Sequence, residues 1–201
     1  TAHAEAQCLM AEARLRMLQA QIEPHMLFNT LANLRTLVDV EPQRAQTMID
    51  QLIVYLRGTL AASRSTTTTL AAEFAQLDAY LALMKVRMGA RLASSLELPE
   101  AMRSCAVPPM LLQPLVENAI RHGLESKITG GTVRVVASAT DHLLTIDVID
   151  DGVGLAASVD EPGYGLVHVR DRLRTLHGDA AHLTIEPIAS GGIRARVAMP
   201  R

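Results

Sequence analysis

Apolar residues recur along the first third of the chain at helical spacing. Cys8, Ala11, Leu15, Leu18 and Ile22 step by three and four residues, the seam of a short coiled coil within a helix over residues 3 to 22. Pro24 interrupts that helix, because proline lacks the N–H that an interior turn needs. The pattern resumes with Leu27, Leu31, Leu34 and Val38 on one face, which leaves His25, Asn29 and Thr36 off the stripe. Glu41-Pro42 reads as a new helix start, with proline at the first helical position, and Ala45, Ile49, Leu52, Leu56 and Leu60 form a second stripe. Two amphipathic helices joined by a short link predict a hairpin. Two such hairpins bury their stripes as a dimeric four-helix bundle.

The polar run Ser63-Arg64-Ser65-Thr66-Thr67-Thr68-Thr69 breaks the pattern and divides the chain into residues 1–65 and 66–201. A third helix follows, with Leu70, Phe74, Leu77, Leu81, Met84 and Met88 in step and Gly89 as its stop. Glu73 falls in its first turn, where the helix dipole favours an anion. Leu92 to Leu98 reads as a strand. Pro108-Pro109 opens a further helix, and Pro114 sits in its early turns. Gly130-Gly131 marks a turn before two strands, Thr132 to Ser138 and Leu143 to Ile149, the second alternating Leu144, Ile146 and Val148 with Thr145 and Asp147. Residues 155 to 162 read as a loop. A helix from Gly165 to His177 carries Leu166, Val169, Leu173 and Leu176 inward. The strands Leu183 to Glu186 and Ile193 to Met199 close the chain through a Gly191-Gly192 turn. The second part is thus expected to be α+β: an α/β sandwich of a mixed sheet with helices on one face.

Composition narrows the function. Hydrophobic residues make up 49%, which excludes disorder, and aromatics only 2%, so the core is aliphatic. A net charge of -2 without a Lys/Arg-rich run gives no reason to expect direct nucleic-acid binding. Cys8 and Cys105 form neither a disulfide framework nor a metal motif. No apolar run reaches the roughly 18 residues of a membrane helix. The chain begins at Thr1 in a helical pattern, so a fragment is expected, with any membrane or sensor part upstream.

The richest chemistry lies in Pro114-Leu115-Val116-Glu117-Asn118-Ala119-Ile120-Arg121-His122-Gly123. As a helix it buries Leu112, Leu115, Val116 and Ala119 and groups Glu117, Asn118, Arg121 and His122 opposite. An amide or carboxylate oxygen suits Mg²⁺, and the cationic groups suit phosphate oxygens. Asp150-Asp151-Gly152-Val153-Gly154 ends a strand, where glycines admit a ligand close to the backbone and a carboxylate can accept from an exocyclic amine. Gly163-Tyr164-Gly165 opens a helix whose free N–H groups favour a phosphate, and Arg170 and Arg172 add positive charge. Gly152-Val153-Gly154-Leu155-Ala156-Ala157 formally fits a dinucleotide fingerprint, but a loop, not a helix, follows it, and the βαβ order is absent. No P-loop sequence exists.

In this order the pieces resemble the sensor histidine kinases of the LytS type, with a nucleotide part similar to the wider GHKL family, from about Leu18 to Pro200. Gln19-Ala20-Gln21-Ile22-Glu23-Pro24-His25-Met26-Leu27-Phe28-Asn29 resembles the phosphoacceptor box, and Leu112 to Gly123 the N box. Asp150 to Gly154 resembles the first glycine box, and Gly163-Tyr164-Gly165-Leu166 through Arg170-Asp171-Arg172-Leu173 the second. Met26 stands where the family often has Phe, and His168 where it usually has Asn.

The resemblance implies that residues 1–65 serve dimerisation and histidine phosphotransfer and that 66–201 bind ATP. His25 would be the phosphorylated residue, Asn118 would hold Mg²⁺, and Glu117 would act as base or water-orienting group. Asp150 would bind the adenine amine. Gly152, Gly154, Gly163 and Gly165 would shape pocket and lid, with His122 and Arg170 near phosphates. It further implies a homodimer through the N-terminal helices and transfer to an aspartate of a response regulator, often of the LytTR type. The chain would then be the cytoplasmic portion of a membrane sensor kinase. Two rival readings remain at this level: a GHKL ATPase or serine/threonine kinase, and a non-catalytic nucleotide-binding dimerisation module.

Overall fold

A computed structural model describes residues 24–62, 65–154 and 164–201, and their side chains except those of Pro24, His25 and Tyr164. The coiled-coil seam at 3 to 22 and the loop at 155 to 162 lie outside the described residues. The chain divides into two compact units, Thr1–Ser65 and Thr66–Arg201.

In the first unit, helices α1 (Pro24–Val40) and α2 (Pro42–Ala62) pack on each other as a hairpin across the single residue Glu41. The buried positions mirror one another about that residue: Leu37 and Ala45 lie four residues from it, Thr30 and Leu52 eleven. These faces, buried within one hairpin, differ from the expected stripes, which the sequence assigns to packing between two hairpins. On α1 the buried residues are Met26, Thr30 and Leu37, whereas Leu31 and Val38 are exposed. On α2 they are Ala45, Met48, Leu52, Tyr55 and Thr59, whereas Ile49 and Leu60 are exposed. The threonines explain the difference. Thr30 Oγ1 donates to the Met26 carbonyl at 2.8 Å and Thr59 Oγ1 to that of Tyr55 at 3.0 Å, so each buries a satisfied hydroxyl that a hydropathy pattern counts as polar.

The second unit holds a five-stranded sheet in the order β2-β4-β5-β7-β6, from strands β2 (Leu92–Glu97), β4 (Gly131–Ala139), β5 (Leu143–Asp150), β6 (His182–Pro187) and β7 (Ile193–Pro200). β2 and β4 are parallel and the other neighbours antiparallel, so the sheet is mixed. A two-stranded pair, β1 (Thr68–Thr69) with β3 (Ala106–Val107), stands apart. Helix α3 (Leu70–Met88) packs against β2, and α5 (Tyr164–His177) against β6 and β7. Between them lies α4 (Gln113–Asn118), which widens into a π-helical turn over Ala119–Leu124 packed on β4 and β5. The sheet with its helices agrees with the expected α+β class.

Several elements follow the hydrophobic pattern closely. All six α3 positions expected inward are buried, and Gly89, at φ 62°, closes the helix with its N–H on the Lys85 carbonyl. Thr69 Oγ1 caps its start by accepting from Ala72 N at 3.2 Å. On β5, Leu144, Ile146 and Val148 are buried. Two details differ. Leu176 is exposed, the inward stripe of α5 ending at Leu173. The helix expected to open at Pro108-Pro109 begins instead at Gln113, because residues 109 to 112 form a turn in which Met110 takes a φ of 58°.

Candidate nucleotide site

The site is built where α4, with its π turn, meets the end of β5. Asp150 is the last residue of β5 and pairs with Val133 on one side and Ile193 on the other, so its carboxylate is set by a strand with neighbours on both edges. It is only 3% exposed. Its Oδ1 accepts from Gly152 N at 2.8 Å. Burial pushes the Asp150 carboxyl above the ordinary carboxylate range, while bonds from the Gly152 and Ile193 backbones pull it down; Asp151 raises it and Lys127 lowers it. A buried carboxylate with a perturbed pKa at a strand end, walled by glycine backbone, is a candidate functional group.

Glycines make the approach possible. A Cβ on Gly123 would stand 2.7 Å from Asp150 Oδ1, and one on Gly152 would overlap the Cα and carbonyl of Gly123. The loop after β5 therefore lies directly on the end of the π turn, fastened by Val153 N donating to the Gly123 carbonyl at 3.1 Å. The wide turn itself is fixed by Glu125 N–H on the Ile120 carbonyl, five residues back, at 2.8 Å. Such turns occur often at functional sites. Lys127 Nζ donates to the Asp151 carbonyl at 2.6 Å, and Asp151 Oδ1 accepts from Thr132 N at 2.8 Å, which holds the second aspartate away from the first.

On the outer side of α4, Glu117 and Asn118 are half-buried, as is His122, while Arg121 is exposed. Gln113 Nε2 donates to Glu117 Oε1 at 2.7 Å, so the carboxylate is oriented one turn from its own helix start. No group of three or more His, Cys, Asp or Glu side chains able to hold a metal occurs among the described residues. One amide beside one carboxylate is a sparse donor set. It fits Mg²⁺, which keeps several waters and takes further ligands from substrate phosphates.

Gly165, in the first turn of α5, faces Pro114, where its Cβ would come within 3.1 Å. The start of α5 thus borders the start of α4. Arg170 and His168 are exposed on α5, whereas Arg172 departs from its expected place among phosphates: its Nη1 bonds the Pro109 carbonyl. Gly163 lies outside the described residues, and Gly154 stands at φ 78° beside them. His25 lies in the first turn of α1, in the other unit, its side chain outside the described residues.

Three contributors escaped sequence reading. Gly123 reads in sequence only as the end of a motif, although it is the residue against which Asp150 packs. Gln113 sits one helical turn before Glu117, a spacing that could have signalled the bond. Glu73 is 3% exposed and accepts from Met110 N, Leu111 N and Leu112 N at 2.7, 2.9 and 3.1 Å. Burial raises the Glu73 carboxyl, and the three N–H groups and Arg172 pull it back. No local signal reveals this, since its partners lie 37 to 39 residues away.

The family model for histidine kinases matches residues 13–92. The chain is 33% identical to the sensor protein LytS of Enterococcus faecalis over 96% of its own length and 35% of that relative. It is 34% identical to the sensor histidine kinase/phosphatase LytS of Staphylococcus aureus, covering 91% of this chain and 34% of the relative. The chain thus spans about a third of the length of these curated relatives. Its fold matches the histidine kinase domain of a blue-light activated histidine kinase from Erythrobacter litoralis, with a TM-score of 0.54 at 17% identity and 92% of each chain covered. The likeness in sequence extends over nearly the whole chain, and the chain belongs to the histidine kinase family, with the LytS-type sensors.

Proposed function

We propose that this chain is the kinase portion of a two-component sensor histidine kinase, which transfers the γ-phosphoryl group of ATP to His25 and then to an aspartate of a response regulator. The observation that carries the reading is the buried Asp150 carboxylate, held against Gly123 and Gly152 at the end of the helix that bears Glu117 and Asn118.

Asp150 accepts a hydrogen bond from the exocyclic amine of adenine, beside the glycine backbone of Gly123 and Gly152. Asn118 holds Mg²⁺, whose charge, when bound, offsets that of the phosphates. His122 and Arg170 lie toward the phosphates, and Gly152, Gly154, Gly163 and Gly165 shape the nucleotide pocket. His25 supplies the nucleophile, the neutral form of imidazole having a free nitrogen lone pair. Its nitrogen attacks the γ-phosphorus, the bond to the β–γ bridging oxygen breaks, and ADP leaves. Glu117, oriented by Gln113, takes up the imidazole proton or orders a water for it. Phosphoryl transfer of this kind depends on alignment and charge neutralisation more than on covalent chemistry.

The exposed apolar residues of the hairpin, Phe28, Leu31, Val38, Ile53 and Val54 among them, support dimerisation through the N-terminal helices. The response regulator is of the LytTR type. The reading places a membrane anchor upstream, with this portion on the cytoplasmic side; the relatives are long enough to hold one, this chain spanning about a third of their length.

The test is labelling with γ-³²P ATP. Acid-labile, alkali-stable label is expected, absent in His25→Gln and reduced below about one hundredth in Asn118→Asp. Label persisting in His25→Gln would refute the phosphoacceptor assignment. Acid-stable label would point to a hydroxyl acceptor instead.

A further inference from the structure

We propose that Glu73 is a positioning residue: by accepting the three N–H groups of the Met110–Leu112 turn it fixes the start of α4, and with it the angle at which Glu117 and Asn118 meet the phosphates. The inference rests on the nucleotide-site reading above. Helix α4 has no side-chain cap of its own, its first residue being preceded by Leu112 in helical conformation. Met110 holds a left-handed φ of 58°, which a non-glycine residue keeps only where its surroundings impose it. Glu73 imposes it from α3, and Arg172 holds the adjoining Pro109 carbonyl from α5. The constraint passes on in one step, because Leu112, held by Glu73 Oε2, directly precedes Gln113, whose amide orients Glu117.

The far end of the helix is held by different groups. Gly123 packs on Asp150 and Gly152, and Glu125 pairs with Arg87 near the end of α3. The two ends are thus fastened separately. Loss of Glu73 frees the phosphate end and spares the adenine end, a separation that general destabilisation would not produce.

The experiment uses Glu73→Gln in the full chain, with ADP as probe, alone and with Mg²⁺, and amide hydrogen exchange as a readout needing no nucleotide. Exchange at Leu111 and Leu112 should quicken at least about tenfold while β4 and β5 amides hold. Affinity for ADP without Mg²⁺ should stay within about twofold, while the gain in affinity that Mg²⁺ confers should fall about tenfold, the equivalent of ~1.4 kcal/mol. Equal losses with and without Mg²⁺, or unchanged exchange at 111 and 112, would overturn the inference. If Glu73→Gln does not fold, Arg172→Lys serves, with the same split expected at smaller size and its absence equally decisive. Wild-type chain that binds no ADP, or shows no Mg²⁺ effect, would overturn the nucleotide-site reading and the inference with it, whereas failure of the split alone leaves that reading standing.

Discussion

Gly152→Ala is expected to abolish nucleotide binding and lower the melting temperature together. The new Cβ would overlap the Cα and carbonyl of Gly123, backbone atoms that cannot rotate away. Relief requires moving the loop after β5 off the π turn, which breaks the Val153-to-Gly123 bond and displaces Asp150 from its glycine wall. Overpacking of this kind costs about 1–3 kcal/mol, or about 4–10 °C for a unit of this size. Gly154→Ala is the control. Gly154 has no described atom within 4 Å of its Cβ position, and its cost is that of a φ of 78°, about 1–2 kcal/mol and without steric overlap. Calorimetry and ADP titration separate the two. Gly152→Ala that binds ADP as wild type does would show that the recess beside Gly123 is not where the base sits.

Asp150→Asn is expected to weaken ADP binding about 10–150-fold without lowering stability at neutral pH, the value of a hydrogen bond to a charged group being ~1.5–3 kcal/mol. Burial lifts the Asp150 carboxyl above its ordinary range, so the folded state disfavours the ion. A raised folded pKa gives stability that is complete below the unfolded pKa and is lost as pH rises through the folded one. At pH 7 the carboxylate therefore counts against folding, and asparagine removes that cost while still able to accept from Gly152 N. The variant should melt at or above the wild-type temperature at pH 7, and its advantage should shrink as pH falls through the raised pKa. Thermal melts across pH 4 to 8 check the sign. A variant less stable than wild type at pH 7 would mean that the ion is stabilising and that the hydrogen bonds outweigh burial.

Elements with an unbroken period were legible in the chain. The α3 positions and the alternation of β5 needed no partner to be read, because one buried face repeats every 3.6 or two residues. Gly89 and the Gly191-Gly192 turn likewise announced themselves by a backbone conformation that favours glycine. The hairpin was harder: Thr30, Thr59 and Tyr55 belong to the buried face by virtue of hydroxyl bonds or ring packing that hydropathy ignores. In the proposed site, motif order singles out Asp150, Asn118 and the glycines. It leaves their supports unmarked. Glu73 looked like an ordinary first-turn acid on its own helix, and Arg172 like one more phosphate-seeking cation, until distant chain brought the Pro109–Leu112 turn between them.

The π turn at Ala119–Leu124 also bears on how this helix tolerates change in length. Each α-helical residue advances the chain by about 100° around its axis. The one supernumerary residue in the wide turn therefore sets the rotational phase between Glu117 and Asn118 upstream and Gly123 downstream. Removing any residue from 119 to 122 would close the wide turn and lose the Glu125-to-Ile120 bond that shapes it. Insertions and deletions should be tolerated at the exposed turn near Ile128 and rejected a few residues earlier.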